Sequence, residues 1–268
     1  MGEAPVTDPT ALESRFADLG RWADEHEPAA RSMHAYGDHA DQHAELRLPA
    51  RGGPHPVAAV FHGGFWRDAF TRQNTRALAV ALTEAGWATW NVEYRRVGSG
   101  GGYPQTLDDV AAACRALASL DAALDLERTV AIGHSAGAQL ALWAAAEGLV
   151  GAAVSLAGVC DLRAAAEAGL GGGAVREFLG AGPNEAPERY DAADPARRLP
   201  LGARTLLVHG DADDRVPLAQ SLAFAAAARA AGDDCRLVVA DGADHFDVID
   251  PRTPAGGGLA SRLRALVS

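Results

Sequence analysis

Gly133-His134-Ser135-Ala136-Gly137 sets a hydroxyl between two glycines in the pattern G-x-S-x-G. A serine hydroxyl becomes a nucleophile only when it is exposed, held rigid and placed beside a base. A sharp strand-to-helix turn gives that exposure at the cost of a crowded, strained backbone. Flanking glycines relieve the crowding because they carry no Cβ. The helix after Ser135 points its positive end at the site and favours negative charge developing there. By itself the pattern also describes a glycine-relieved turn with a capping serine. TVAI before it and AQLALWAA after it supply the strand and helix that a nucleophile turn needs.

Phe61-His62-Gly63-Gly64-Phe65-Trp66 follows a second apolar strand. Acyl transfer passes through a tetrahedral intermediate with a full negative charge on oxygen, and preorganised backbone N–H groups stabilise it. Paired glycines let the chain turn its amides inward. The expected oxyanion hole is formed by the N–H groups of Gly64 and Phe65, with that of Ala136 after the serine. His62 is expected to brace this loop, not to act as the base; an ordinary Gly-Gly turn is the plainer alternative.

A general-base histidine needs an acceptor that fixes its tautomer and stabilises the imidazolium. His209-Gly210-Asp211-Ala212-Asp213-Asp214-Arg215-Val216-Pro217 ends a strand in carboxylates. Asp211, Asp213 and Asp214 all qualify by type, and the spacing H-G-x-x-D-x-x-V-P favours Asp213. A solvated acidic turn is the alternative, preferred for Asp211 and Asp214. Downstream, His245 in Gly242-Ala243-Asp244-His245-Phe246 is the only histidine after Asp213. It completes the order Ser…Asp…His of an α/β-hydrolase sheet. His34, His39 and His43 lack the carboxylate or cysteine pattern of a metal site.

The elements that must position these residues alternate. Pro56–Gly64, Ala88–Tyr94, Gly151–Leu156, Arg204–Val208 and Arg236–Ala240 read as strands, and Arg128–Gly137 as a strand running into a tight turn. Asn74–Ala85, Thr106–Leu120, Gln139–Glu147, Pro217–Ala231 and Gly257–Val267 read as helices. Thr106 and Asp109 are spaced like a capping box. Such alternation implies an α/β fold with a mostly parallel central sheet covered by helices on both faces. Residues 160–200 read as a short helical, glycine-rich insertion without a long apolar lid. An amphipathic helix over Pro9–Arg31 is expected in a peripheral N-terminal segment, residues 1–30, to which no chemistry is assigned. Residues 31–268 are expected to form a single hydrolase domain.

Composition excludes other classes. Of 268 residues, 48% are hydrophobic and 22% charged, the balance of a globular chain. Lys+Arg 24 against Asp+Glu 35 leaves a net charge of −11, which offers no basic face for nucleic acid or an anionic membrane. No apolar run is long enough to span a bilayer, and the start lacks a secretory signal, so the expected location is cytoplasmic. Cys114, Cys160 and Cys235 show no metal or disulfide spacing. No cofactor is implied, the expected partner is a small molecule, and nothing in the sequence argues against a homodimer.

With these motifs assembled, the chain resembles the α/β-hydrolase superfamily from about Tyr36 to Val267. Within it, HGGFW resembles the HGGxW signature of the kynurenine formamidase-like (arylformamidase) and carboxylesterase group. Glu93-Tyr94-Arg95-Arg96, Gly100-Gly101-Gly102-Tyr103-Pro104 and Asp244-His245-Phe246-Asp247 are similar to segments of its bacterial members. The resemblance implies Ser135 as nucleophile, Asp213 as acid and His245 as base. Phe65 replaces the third glycine of the lipase loop, which separates the chain from hormone-sensitive-lipase-like enzymes.

The expected activity is cleavage of a small carboxylic ester or activated amide through an acyl-enzyme. Acyl transfer by the same triad and a non-catalytic receptor on the same fold are the alternatives. Phe65, Trp66, Tyr94, Tyr103 and Phe246 are expected around the substrate, with core packing the alternative for each. Arg95 is suited to a substrate carboxylate or to a structural ion pair.

Overall fold

The computed structural model describes residues 9–28, 30–50, 52–120 and 122–267. Helix α1 (Pro9–His26) leads into strands β1 (Arg31–Ala35) and β2 (His43–Arg47). Then follow β3 (His55–Phe61), α2 (Arg76–Glu84), β4 (Ala88–Val92), α3 (Gln105–Ala116), β5 (Leu124–His134), α4 (Ala136–Ala146) and β6 (Ala152–Leu156). Three short helices, α5 (Leu162–Glu167), α6 (Leu170–Leu179) and α7 (Pro187–Ala193), fill the insertion. The chain closes with β7 (Arg204–Gly210), α8 (Ala219–Ala230), β8 (Cys235–Ala240), α9 (Pro254–Gly257) and α10 (Leu259–Val267). No described helix is long and apolar enough to cross a membrane.

The strands form one 8-stranded sheet in the order β1-β2-β4-β3-β5-β6-β7-β8. β2 is antiparallel to both its neighbours, and every pairing from β4 to β8 is parallel. Parallel strands must be covered on both faces, so their sequences are apolar on both. Along β3, Val57, Ala59 and Phe61 join the core shared with α3, α4 and α8. Ala58 and Val60 point the other way, into the core shared with α2 and α10. The chain leaves β3 toward β4 in one direction and returns to β5 in the other. The crevice at that reversal, beyond the carboxyl ends of the strands, is where such sheets hold their sites.

Several boundaries correct the sequence reading. The first helix ends at His26, and Arg31 already pairs with Arg47 in the sheet. β1 is mostly exposed, so it carries no apolar alternation to announce it. Thr106 and Asp109 do not form a capping box. Pro104 is the N-cap of α3 and makes no side-chain cap bond. Thr106 Oγ1 instead accepts from the Gly102 N–H at 3.0 Å and donates to the Arg95 carbonyl at 2.7 Å. Asp109 is drawn to Arg95 at 2.6 Å, a tertiary charge pair that outcompetes the local cap.

α1 lies outside α2. Leu19 and Ala23 are buried against Ala77 and Val80. Its carboxyl end is tied down by Glu27, which takes Arg47 Nε at 2.6 Å and Arg76 Nη2 at 2.6 Å. Its amino-terminal turns are free of that anchor and run toward the crevice.

Candidate active site

Ser135 sits between β5 and α4 with φ 56° and ψ −120°. A non-glycine residue held there costs about 1–3 kcal/mol and persists only where its surroundings over-determine it. The surroundings do so here. The Ser135 N–H donates to the Leu156 carbonyl at 2.9 Å, and its carbonyl accepts from Ala138 and Val159. A Cβ on Gly133 would come within 2.0 Å of the Gly137 carbonyl oxygen, and one on Gly137 within 2.2 Å of that of Phe61. Both flanking glycines are therefore required by close backbone approach.

The loop after β3 faces this turn. A Cβ on Gly63 would lie 2.9 Å from Ser135 Cβ, so Gly63 lets the loop close onto the serine. Gly64, Phe65 and Trp66 follow with φ 110°, 54° and 57°. Among the described residues, no acceptor takes the N–H of Gly64 or Phe65. Ala136 opens α4, so its N–H precedes the first intrahelical bond. His62 is buried beneath the loop, with Nδ1 2.7 Å from the Gly63 carbonyl and Nε2 2.8 Å from Glu93. Burial alone would push the Glu93 carboxyl up; the His62 hydrogen bond and its neighbours outweigh it and hold the group below its ordinary value.

Asp213 and His245 meet beyond β7 and β8. His245 Nδ1–H donates to Asp213 Oδ2 at 2.7 Å, which leaves Nε2 with its lone pair free to take a proton. Asp213 Oδ1 accepts the N–H groups of Arg215 and Val216 at 2.8 and 2.9 Å. His209 Nε2 approaches Oδ2 at 3.1 Å and the Val216 carbonyl at 2.9 Å, while its Nδ1 meets Ser221 Oγ at 2.7 Å. Burial works to raise the Asp213 pKa, but the hydrogen bonds from His209 and His245 overcome it, and the carboxyl lies well below the usual range. Asp211 instead accepts from the Gly242 N–H, and Asp214 lies 3.6 Å from Arg215.

Ser135 and His245 open onto one pocket, together with Gly63, Gly64, Phe65 and Phe246. The expected Trp66, Tyr94 and Tyr103 are not among its walls. Trp66 turns inward, stacks on Phe178 and donates its Nε1–H to Gln139 at 3.0 Å. Tyr94 is fully buried, stacked on His62, and its hydroxyl donates to the His62 carbonyl at 2.7 Å. Tyr103 packs on the same core, its N–H donating to the Phe178 carbonyl. Trp66 and Tyr94 brace the loop from below. Arg95 is held by buried Asp109, the structural ion pair.

The sequence reading missed several walls. Phe70, Asn74 and Arg215 line the pocket, and so do Leu12 and Phe16 of α1. The segment assigned to the periphery is therefore part of the site's surroundings. His134 was also passed over. Its Nε2–H donates to the His245 carbonyl at 2.9 Å. Burial first, then the nearby His245, pushes its pKa down to about 3, so it is a neutral strut beneath the histidine loop. The apolar spacing of Leu12, Phe16, Leu19 and Ala23 marks a docking face but not the surface on which it docks.

Strand order, crevice and serine turn define the α/β-hydrolase fold. Within it, the chain belongs to the prolyl oligopeptidase family, whose sequence pattern matches residues 71–257, a span that contains Ser135, Asp213 and His245. No curated protein sequence matches the chain. Among solved structures, a truncated carbohydrate esterase from gut microbiota is similar at TM-score 0.81 and 19% identity, over 91% of this chain and 98% of that one. Esterase B from Lactobacillus rhamnosis is similar at TM-score 0.76 and 18% identity, over 96% and 94%. Carboxyl esterase 2 from the fungus Tuber melanosporum is similar at 0.72 and 20%, over 89% and 88%.

Proposed function

We propose that the protein is a serine hydrolase that cleaves a small carboxylic ester or activated amide. Ser135 is the nucleophile, His245 the base and Asp213 the acid. The N–H groups of Gly64, Phe65 and Ala136 form the oxyanion hole. One observation carries the reading: a serine at φ 56° shares a pocket with an imidazole held 2.7 Å from a buried carboxylate.

His245 Nε2 takes the Ser135 proton as Oγ attacks the carbonyl carbon. The tetrahedral oxyanion is held by the three amides. It collapses as His245 passes the proton to the leaving alcohol or amine. Water, deprotonated by the same nitrogen, then attacks the acyl-serine, and the acid leaves as Ser135 regains its proton.

The cavity beside Ser135 is narrow, about 40 Å³, and suits a compact substrate. The likeness to esterases of known structure supports an ester. An aryl formamide is the activated amide we put first, on the likeness of the His62–Trp66 and Asp244–Asp247 segments to kynurenine formamidase-like enzymes. The test is Ser135→Ala, assayed on p-nitrophenyl acetate and N-formylkynurenine. It is expected to lower kcat by more than about 10⁴-fold and to abolish the acyl-enzyme burst while the thermal midpoint holds. Turnover retained in that variant overturns the assignment.

A further inference from the structure

We propose that α1 sets the size limit of the group bound against Ser135, with Leu12 and Phe16 as specificity-determining side chains. The inference rests on the ester-cleaving reading above and names the substrates it favours: esters with a short chain on the side that α1 bounds.

The floor of the pocket leaves little room for adjustment. Gly63 closes onto Ser135, and the strained turn and the Asp213–His245 pair are held by backbone contacts. The walls are different. Leu12 and Phe16 lie one helical turn apart on one face of α1, and both border the pocket. The same stripe continues to Leu19 and Ala23, which dock the helix on α2. The helix is thus held at its carboxyl half and presents two side chains over the site from its amino half.

The placement of Phe16 is specific. Its ring meets that of Phe246 edge-on, with centroids 5.4 Å apart and planes at 82°. Phe246 follows His245 directly. Between the two wall residues, Arg15 reaches Asp244 at 2.6 Å and Asp247 at 2.5 Å, the residues that bracket His245 and Phe246. The wall is therefore registered against the histidine loop. Removing a side chain from it enlarges the pocket without touching an atom of the proposed triad.

The experiment compares the full-length protein with Phe16→Ala and Leu12→Ala on p-nitrophenyl acetate, butyrate and octanoate, and on acetates of ethyl, benzyl and naphthyl alcohols. The unaltered protein is expected to prefer the short members. In one of the two series, Phe16→Ala should raise kcat/KM for the longest member relative to the shortest by about ten-fold or more. Leu12→Ala should shift the same series in the same direction, and Leu12→Trp should depress the longer members. Phe16 also packs against the Leu19 and Ala23 anchor whereas Leu12 does not, so the Leu12 variants separate pocket size from helix docking. Folded variants with unchanged ratios in both series overturn the inference. If the unaltered protein hydrolyses none of the esters, or Ser135→Ala keeps its turnover, the ester-cleaving reading itself has failed.

Discussion

The carboxyl edge of the sheet and the amino half of α1 face each other across one pocket, and they are built on opposite principles. At the sheet edge every group is locked. Ser135 is fixed by three backbone hydrogen bonds, and Asp213 is surrounded by two imidazoles and two backbone N–H groups. α1 presents Leu12 and Phe16 on a helix held at its other end, with a partly exposed ion pair as its latch. Chemistry needs atoms held in near-attack geometry, whereas fit needs only a wall of the right height. The difference predicts where substitutions change rate and where they change preference.

The largest effect is expected at the locked edge. Asp213→Asn should lower kcat on p-nitrophenyl acetate by about 10⁴-fold. An amide in place of the carboxylate no longer fixes the Nδ1–H tautomer of His245 or stabilises the imidazolium. KM should move little, since the Asp213 side chain is fully buried and not a pocket wall. A loss of ten-fold or less would mean that the catalytic edge does not depend on its acid, and the contrast with α1 would dissolve.

The next effect is on stability, and its sign follows from His134. Its folded pKa, pushed down to about 3, lies below the ordinary histidine value. The unfolded state therefore binds the proton first as the solution is acidified. The stabilisation is fully present above the unfolded value and is lost as pH falls through the folded one. Over that interval the site should forfeit on the order of 4 kcal/mol. Denaturant titrations between pH 7 and pH 3 should show a steeper decline for the unaltered protein than for His134→Gln. Parallel curves would show that the strut beneath the histidine loop is not held neutral by burial.

The same contrast decides what could be read from the amino-acid sequence. Ser135, Asp213 and His245, the proposed triad, sit in short patterns, as expected where bond-making fixes residue type and spacing together. β3, β5, β6 and β7 are visible because both their faces are buried. β1 is not, because its side chains are mostly exposed. Trp66, Tyr94 and Tyr103 look like pocket walls, since an aromatic beside a site and one beneath it are chemically alike. Only the fold decides, by turning Trp66 inward at φ 57° onto Phe178. Leu12 and Phe16 are hidden for the opposite reason. An apolar stripe shows that a helix will dock but not what its free end overhangs.

The smallest effect is expected at the latch. Arg15 is 24% exposed, and its partners Asp244 and Asp247 are 44% and 26% exposed, so the pair should be worth no more than about 1 kcal/mol. Arg15→Ala should lower the thermal midpoint by only about 2–4 °C. The histidine loop has its own ties: Asp244 Oδ1 accepts the N–H groups of Phe246 and Asp247, and Asp247 Oδ2 accepts that of Asp244. Turnover of p-nitrophenyl acetate should therefore stay within about three-fold, since no atom of the proposed triad loses a partner. The discrimination against longer esters should relax, because the wall is no longer registered against Phe246. Salt should act in the same direction on the unaltered protein, screening a pair this exposed. A collapse of kcat with the ester preference intact would show that the helix serves the chemistry and not the fit, and the division between the two sides of the pocket would have to be redrawn.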